Sequence, residues 1–241
     1  MRFRSILPFL FALCVLLAGM PAAQAQTVRA VMHAELKHLD PQWTTANISQ
    51  QHGYMIYETL FSLDGKGQPK PNMVDKFTVS ADKRTYTFTL RNGLKWHDGQ
   101  PVRAADAVAS IKRWAVKDAA GQKVMAKAES ITAPNDKTLV IHLKEPYGLL
   151  LRALAKENSY VPFILPERHA TQDPAKAFEG DPVGSGPFMF SKSEWVPGSK
   201  TVYVRFKDYV PRADKPDYYA GSHKVNIERV EWISIPDAST A

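Results

Sequence analysis

Hydrophobic and polar positions alternate most clearly over Thr85–Leu90, where hydroxyl and apolar residues take turns. A period of two puts Tyr86, Phe88 and Leu90 on one face, so the segment is predicted as a half-buried strand. Thr201–Phe206 alternates in the same way, and Thr27–Met32, Phe77–Val79, Thr138–Leu143, Phe188–Phe190 and Asn226–Ile235 also read as strands. Helical spacing is clearest over Ala104–Val116, where Val108, Ile111 and Ala115 fall on one face behind Pro101. Further helices are predicted over Ile48–Leu60, with Ile48, Tyr54, Met55, Tyr57 and Leu60 inward, over Gln122–Glu129, and near Leu149–Leu154. Turn chemistry punctuates the chain at Asp64–Gly67, Ala81–Arg84, Arg91–Gly93, Asp98–Gly99 and Asp181–Pro187. Tyr160–Glu167 is apolar and broken by proline. Strands in pairs separated by helices give a mixed α/β chain with substantial antiparallel sheet.

The first 25 residues do not fit that pattern. Arg2 and Arg4 precede an apolar stretch from Ile6 to Met20, and Ala23-Gln24-Ala25 offers a small-x-small cleavage site. This is a secretory signal peptide cut after Ala25, and its core is short for a membrane span of about 20 residues. The expected compartment is the periplasm.

Composition changes the picture in two ways. The chain has 241 residues, 44% hydrophobic and 23% charged, which excludes a disordered tail and a collagen-like fibre. Its one cysteine is Cys14, inside the leader, so no intrachain disulfide and no multi-thiolate metal site can form. The net charge is +7, and loss of Arg2 and Arg4 with the leader brings it to +5. Lysines are scattered among acids with no run of five like charges, so a nucleic-acid partner is not expected.

Candidate chemistry is sparse. His33-Ala34-Glu35 matches half of a zinc-deaminase signature, but the other half needs two cysteines. Seven histidines are dispersed, and no H-E-x-x-H pattern occurs. Gly184-Ser185-Gly186 lacks the outer glycines of a nucleophile elbow. There is no phosphate-cradling glycine loop. A catalytic reading therefore has no positive support, although an exported hydrolase stands as the alternative. The five tryptophans and nine tyrosines could line an apolar cleft, with Trp43 placed where the chain leaves a strand.

Several segments together resemble the bacterial extracellular solute-binding proteins of family 5, the dipeptide, oligopeptide and nickel type. They are Leu39–Pro41, Tyr57–Phe61, the long stretch Asp82–Val102, Ala105-Asp106, Gly184–Phe188, Arg205–Tyr209 and Ile235–Asp237. The resemblance implies a periplasmic-binding-protein-like α/β fold with mixed sheets. Residues 26–241 would form the first lobe of a two-lobed clamp, with an inserted subdomain over about 57–160 and the second lobe absent from this chain. It implies capture of a small peptide or related organic solute by hinge closure, delivery to an inner-membrane ABC permease, a monomer, no cofactor and no enzymatic step. Family members are about twice this length, so the chain reads as an N-terminal fragment that binds weakly alone; a ligand-free interaction remnant is the third reading. By position, the resemblance assigns ligand contact to Met32, His33 and Glu35, to Trp43, Thr44 and Thr45, and to Asn158, Ser159 and Tyr160. It gives Gly184–Pro187 and Trp96–Gly99 the role of fold-defining turns.

Overall fold

The computed structural model describes residues 26–235. The leader and its cleavage site, and Asp237 of the last matching motif, lie outside the described residues.

Two four-stranded sheets frame the chain. The first has the order β1-β12-β11-β10, built from Thr27–Met32, Arg229–Ser234, Lys200–Arg205 and Phe188–Phe190. In it β1 and β12 run parallel, with Thr27 opposite Arg229 and Met32 opposite Ser234, while β11 is antiparallel to both neighbours. The second is wholly antiparallel, with the order β5-β6-β8-β7, from Val74–Val79, Thr85–Leu90, Thr138–Leu143 and Ala128–Asn135. The expected alternation over β6 holds, with Tyr86, Phe88 and Leu90 buried.

Helix α1 (Asn47–Ile56) packs on the first sheet in one apolar cluster with Leu36, Phe163, Leu165, Tyr203 and Trp232. The second sheet forms another cluster with α2 (Ala104–Lys117), α3 (Ala119–Lys127) and α4 (Leu150–Leu154). Helix α2 is the seam. Ala107, Ile111 and Trp114 face the second cluster, Ala109 faces the first, and Ser110 Oγ donates to the carbonyls of Asp106 (2.7 Å) and Leu165 (3.1 Å). The start of α2 is fixed by Asp106, whose carboxylate accepts the backbone N–H of Arg103 at 2.7 Å and of Glu167 at 2.7 Å. It thereby ties α2 to the short helix α5 (Glu167–Ala170).

Some predicted boundaries need correction. The first helix ends at Ile56 rather than Leu60, because Glu58–Thr59 (β2) pairs with Phe163–Ile164 (β9), and Phe61–Leu63 (β3) with Pro69–Pro71 (β4). Tyr57 and Leu60 are buried as expected, but outside the helix. The predicted Gln122–Glu129 helix is α3, shifted towards the N-terminus. Asp118 caps it there by accepting the N–H of Ala120 (2.8 Å) and Gly121 (3.1 Å). The strand β7, broken by irregular register, has no clean period in the sequence.

Candidate functional site

The parallel pair β1 and β12 ends at the same rim, where ligands are bound in open α/β sheets. Beyond Met32 the chain leaves the sheet, and at the last residue of β12 the Ser234 N–H donates to Ser199 O at 2.7 Å. A cavity of about 540 Å³ opens there. His33, Glu35, Lys37, His38, Ile48 and Ser234 line it. Glu35 and Lys37 stand 3.9 Å apart, both partly in solvent. Met32 lies beside this space, in a crevice of about 10 Å³ shared with Leu36, Trp195 and Trp232. His33 and Glu35 therefore line the open cavity, whereas Met32 lines only the neighbouring crevice. Lys37, His38 and Ser234 had no signal of their own in the sequence, and only their nearness to Glu35 and to the strand ends would have found them.

The loop after His38 is held from beneath by a buried ion pair. Arg113 Nη2 on α2 donates to Asp40 Oδ2 at 2.7 Å, with the two side chains 2% and 1% exposed. The same carboxylate accepts the N–H of Gln42 (2.9 Å) and of Phe178 (3.0 Å). Trp43 follows, and its ring is engaged: Nε1 donates to Ala175 O at 3.0 Å, and His38 meets it edge-on at 4.9 Å. Thr44 Oγ1 accepts the N–H of Ala46 at 3.2 Å, and the Thr45 carbonyl accepts from Gln50 Nε2 at 3.0 Å. These two threonines shape the entry to α1.

The third predicted group stands elsewhere. Tyr160 O accepts from Trp114 Nε1 at 2.8 Å, and Ser159 holds a left-handed φ of 58°. Asn158 is exposed and lines a separate cavity that shares no residue with the first. The nine predicted residues thus fall into a cavity pair (His33 and Glu35), a neighbouring crevice and supporting loop (Met32, Trp43, Thr44 and Thr45), and a segment outside that cavity (Asn158, Ser159 and Tyr160).

The most distinctive sequence motifs meet away from the cavity. Glu58 accepts from Arg91 Nη2 (2.7 Å), Ser185 Oγ (3.1 Å) and Tyr209 OH (3.3 Å). One buried carboxylate joins four of those motifs, so they build the frame. His97 acts beside it. Its Nδ1 accepts the Gly184 N–H at 3.2 Å, which leaves Nε2–H to donate to Gly186 O at 3.0 Å.

Burial holds His97 down at about 4, His169 at about 4 and His52 at about 3. His169 lies flat on Phe178, ring centroids 4.5 Å apart, and His52 Nδ1 is 2.8 Å from Tyr203 OH. A histidine with a lowered folded pKa stabilises the fold above its unfolded value near 6.5, and loses that contribution as pH falls towards the folded value. Burial raises the Asp106 carboxyl, which opposes the trend only within the carboxylate range. Stability is therefore expected to drop between pH 6.5 and about 4. His97 alone accounts for on the order of 3 kcal/mol. Urea midpoints at pH 7 and pH 4.5 check this, and equal midpoints would contradict it.

Among the described residues no group of three or more His, Cys, Asp or Glu could hold a metal ion. Among them, too, no helix is long and apolar enough to cross a membrane.

Comparison with known proteins identifies the family. Residues 68–241 match the family described as bacterial extracellular solute-binding proteins, family 5 Middle. The chain is 47% identical over 218 residues to a protein of Sinorhizobium fredii described as a probable peptide ABC transporter periplasmic-binding protein, covering 90% of this chain and 40% of the relative. It is 29% identical over 222 residues to the dipeptide-binding protein DppE of Bacillus subtilis, covering 83% and 38%. Among solved structures, the binding protein AgaA of A. tumefaciens R10, in complex with agropinic acid, superposes with a TM-score of 0.70 at 26% identity, covering 89% of this chain and 41% of that one. The chain spans about two-fifths of the length of the relatives it matches, 40% and 38% for these two.

Proposed function

Because the chain belongs to the bacterial extracellular solute-binding proteins of family 5, we propose that residues 26–241 form the first lobe of a periplasmic two-lobed clamp, with about 57–160 as an inserted subdomain. The clamp captures a small peptide or related organic solute and passes it to an inner-membrane ABC permease. Relatives described as peptide- and dipeptide-binding support the ligand class. The family is one of solute binders and not of enzymes, in line with the absence of any catalytic motif in the sequence.

The observation that carries this reading is the open cavity of about 540 Å³ at the ends of β1 and β12, with His33 and Glu35 on its wall. A site open on one side suits a two-lobed mechanism. Ligand touches both lobes only in the closed state, so its binding energy shifts the open–closed balance. The outer edge of β1 supports the same reading. Parallel strands are normally covered on both faces, yet Val28 and Val31 are 43% and 58% exposed, as expected of a surface that more of the protein covers.

Calorimetric titration of the two-lobed protein with di- and tripeptides tests the assignment. Glu35→Ala and the cavity-filling His33→Trp are expected to weaken binding about tenfold or more with unchanged thermal stability. Unchanged affinity in both variants would remove the cavity from the site.

A further inference from the structure

A second cavity, of about 380 Å³, opens between α3 and the segment leading into α4. Much of its lining is apolar, with Ala119, Ala120, Tyr147, Leu149 and Ala153. Leu149 is 61% exposed, a large aliphatic side chain left in water. The lining also carries three cations, Lys123, Arg152 and Lys156, against one acid, Glu157. Two of the cations are held in place. Arg152 Nη1 pairs with Glu157 at 3.0 Å. Lys156 pairs with Asp118, the carboxylate that also caps α3. Lys123 is exposed and makes no ion pair among the described residues.

We propose that this cavity is a binding site for a small amphipathic carboxylate. The aryl or acyl body lies on the alanine, tyrosine and leucine lining, and the carboxylate sits beside Lys123 and Arg152. The volume falls within the range of about 300–1,000 Å³ typical of small-molecule sites, which combine an apolar lining with a few placed polar groups. The braced guanidinium of Arg152 offers a fixed donor fork, and Lys123 supplies charge that no neighbouring acid neutralises. A neutral or cationic ligand of the same shape would leave that excess unmatched. The site lies apart from the cavity at the ends of β1 and β12, so it stands or falls independently of the clamp reading.

Titration with 4-phenylbutyrate, 4-phenylbutanol and 4-phenylbutylamine, followed by ligand-observed NMR and calorimetry, tests the proposal on the whole chain. The carboxylate is expected to bind about tenfold tighter than the alcohol, with the amine weakest. Lys123→Glu should abolish that preference. Ala119→Trp, at an exposed position, should block the cavity and remove binding of all three. Melting curves matching the unsubstituted protein show that both variants remain folded. Equal binding of carboxylate and alcohol, carboxylate binding that survives Ala119→Trp, or no carboxylate binding at millimolar concentration would each overturn it.

Discussion

Replacing Arg113 by Met is expected to cost about 3–5 kcal/mol of folding stability, because it leaves Asp40 buried with no cation. Asp40→Ala should cost a similar amount by stranding the guanidinium. The loss reaches beyond the pair. Arg113 also donates to the carbonyls of Gln172 (2.9 Å) and Lys176 (2.8 Å), so its removal loosens the 172–178 segment. That segment holds Trp43 through Ala175 O, and Trp43 in turn abuts His38 on the cavity wall. Chemical denaturation reads the stability, and ligand titration of the same variant should show weakened binding at temperatures where it is still folded. The double replacement Asp40→Leu with Arg113→Met removes both charges and should recover a good part of the loss. If each single variant costs less than about 1 kcal/mol, the pair is not the support described.

The second large effect is expected at Gly184. A Cβ built there would stand 1.6 Å from the carbonyl oxygen of Ile56, the last residue of α1. No rotamer change relieves a clash with backbone. Gly184→Ala must therefore push the 184–187 turn away from α1. The turn would lose the Gly186 N–H bond to Ile56 O (2.9 Å) and disturb the His97 bonds. A loss of about 3 kcal/mol or more is expected, at the upper end of overpacking effects. Thermal melting checks it, and a melting temperature within a degree or two of the parent would contradict the close approach. Gly67→Ala is the control: its added Cβ meets nothing within 4 Å, so its cost is confined to a left-handed φ of 72°.

These two sites explain why the frame was more legible in sequence than the binding surface. Period-two alternation identified β6, where one face packs on a core and the other does not; it also marked β11, although there Thr201, Val202 and Tyr203 are all buried. Helix α2 announced itself by apolar spacing. The two-residue strands β2 and β9 carry no period, and they form only because a distant partner supplies the hydrogen bonds. Gly184-Ser-Gly-Pro187 was expected as a turn and shows only a bend at Gly186 and Pro187; its fit against the end of α1 and the ring of His97 had no local signal. Asp40 stood out only as part of the Leu39–Pro41 motif, and the structure makes it the buried anchor of the loop that follows. His33 and Glu35 were assigned by resemblance, and they line the cavity at the strand ends. Lys37, His38 and Ser234 were not, since their role comes from the meeting of β1, β12 and α1 and not from any local pattern. Asn158, Ser159 and Tyr160 were assigned ligand contact by resemblance, and Asn158 lines a different cavity from His33 and Glu35.

Solute capture by the proposed two-lobed clamp is tested by native mass spectrometry of the two-lobed protein, purified from periplasm without denaturation. An added mass corresponding to one small peptide or organic solute is expected, released intact on unfolding and lost in the His33→Trp variant. A protein that is consistently bare, or one that returns a chemically altered solute, would contradict it.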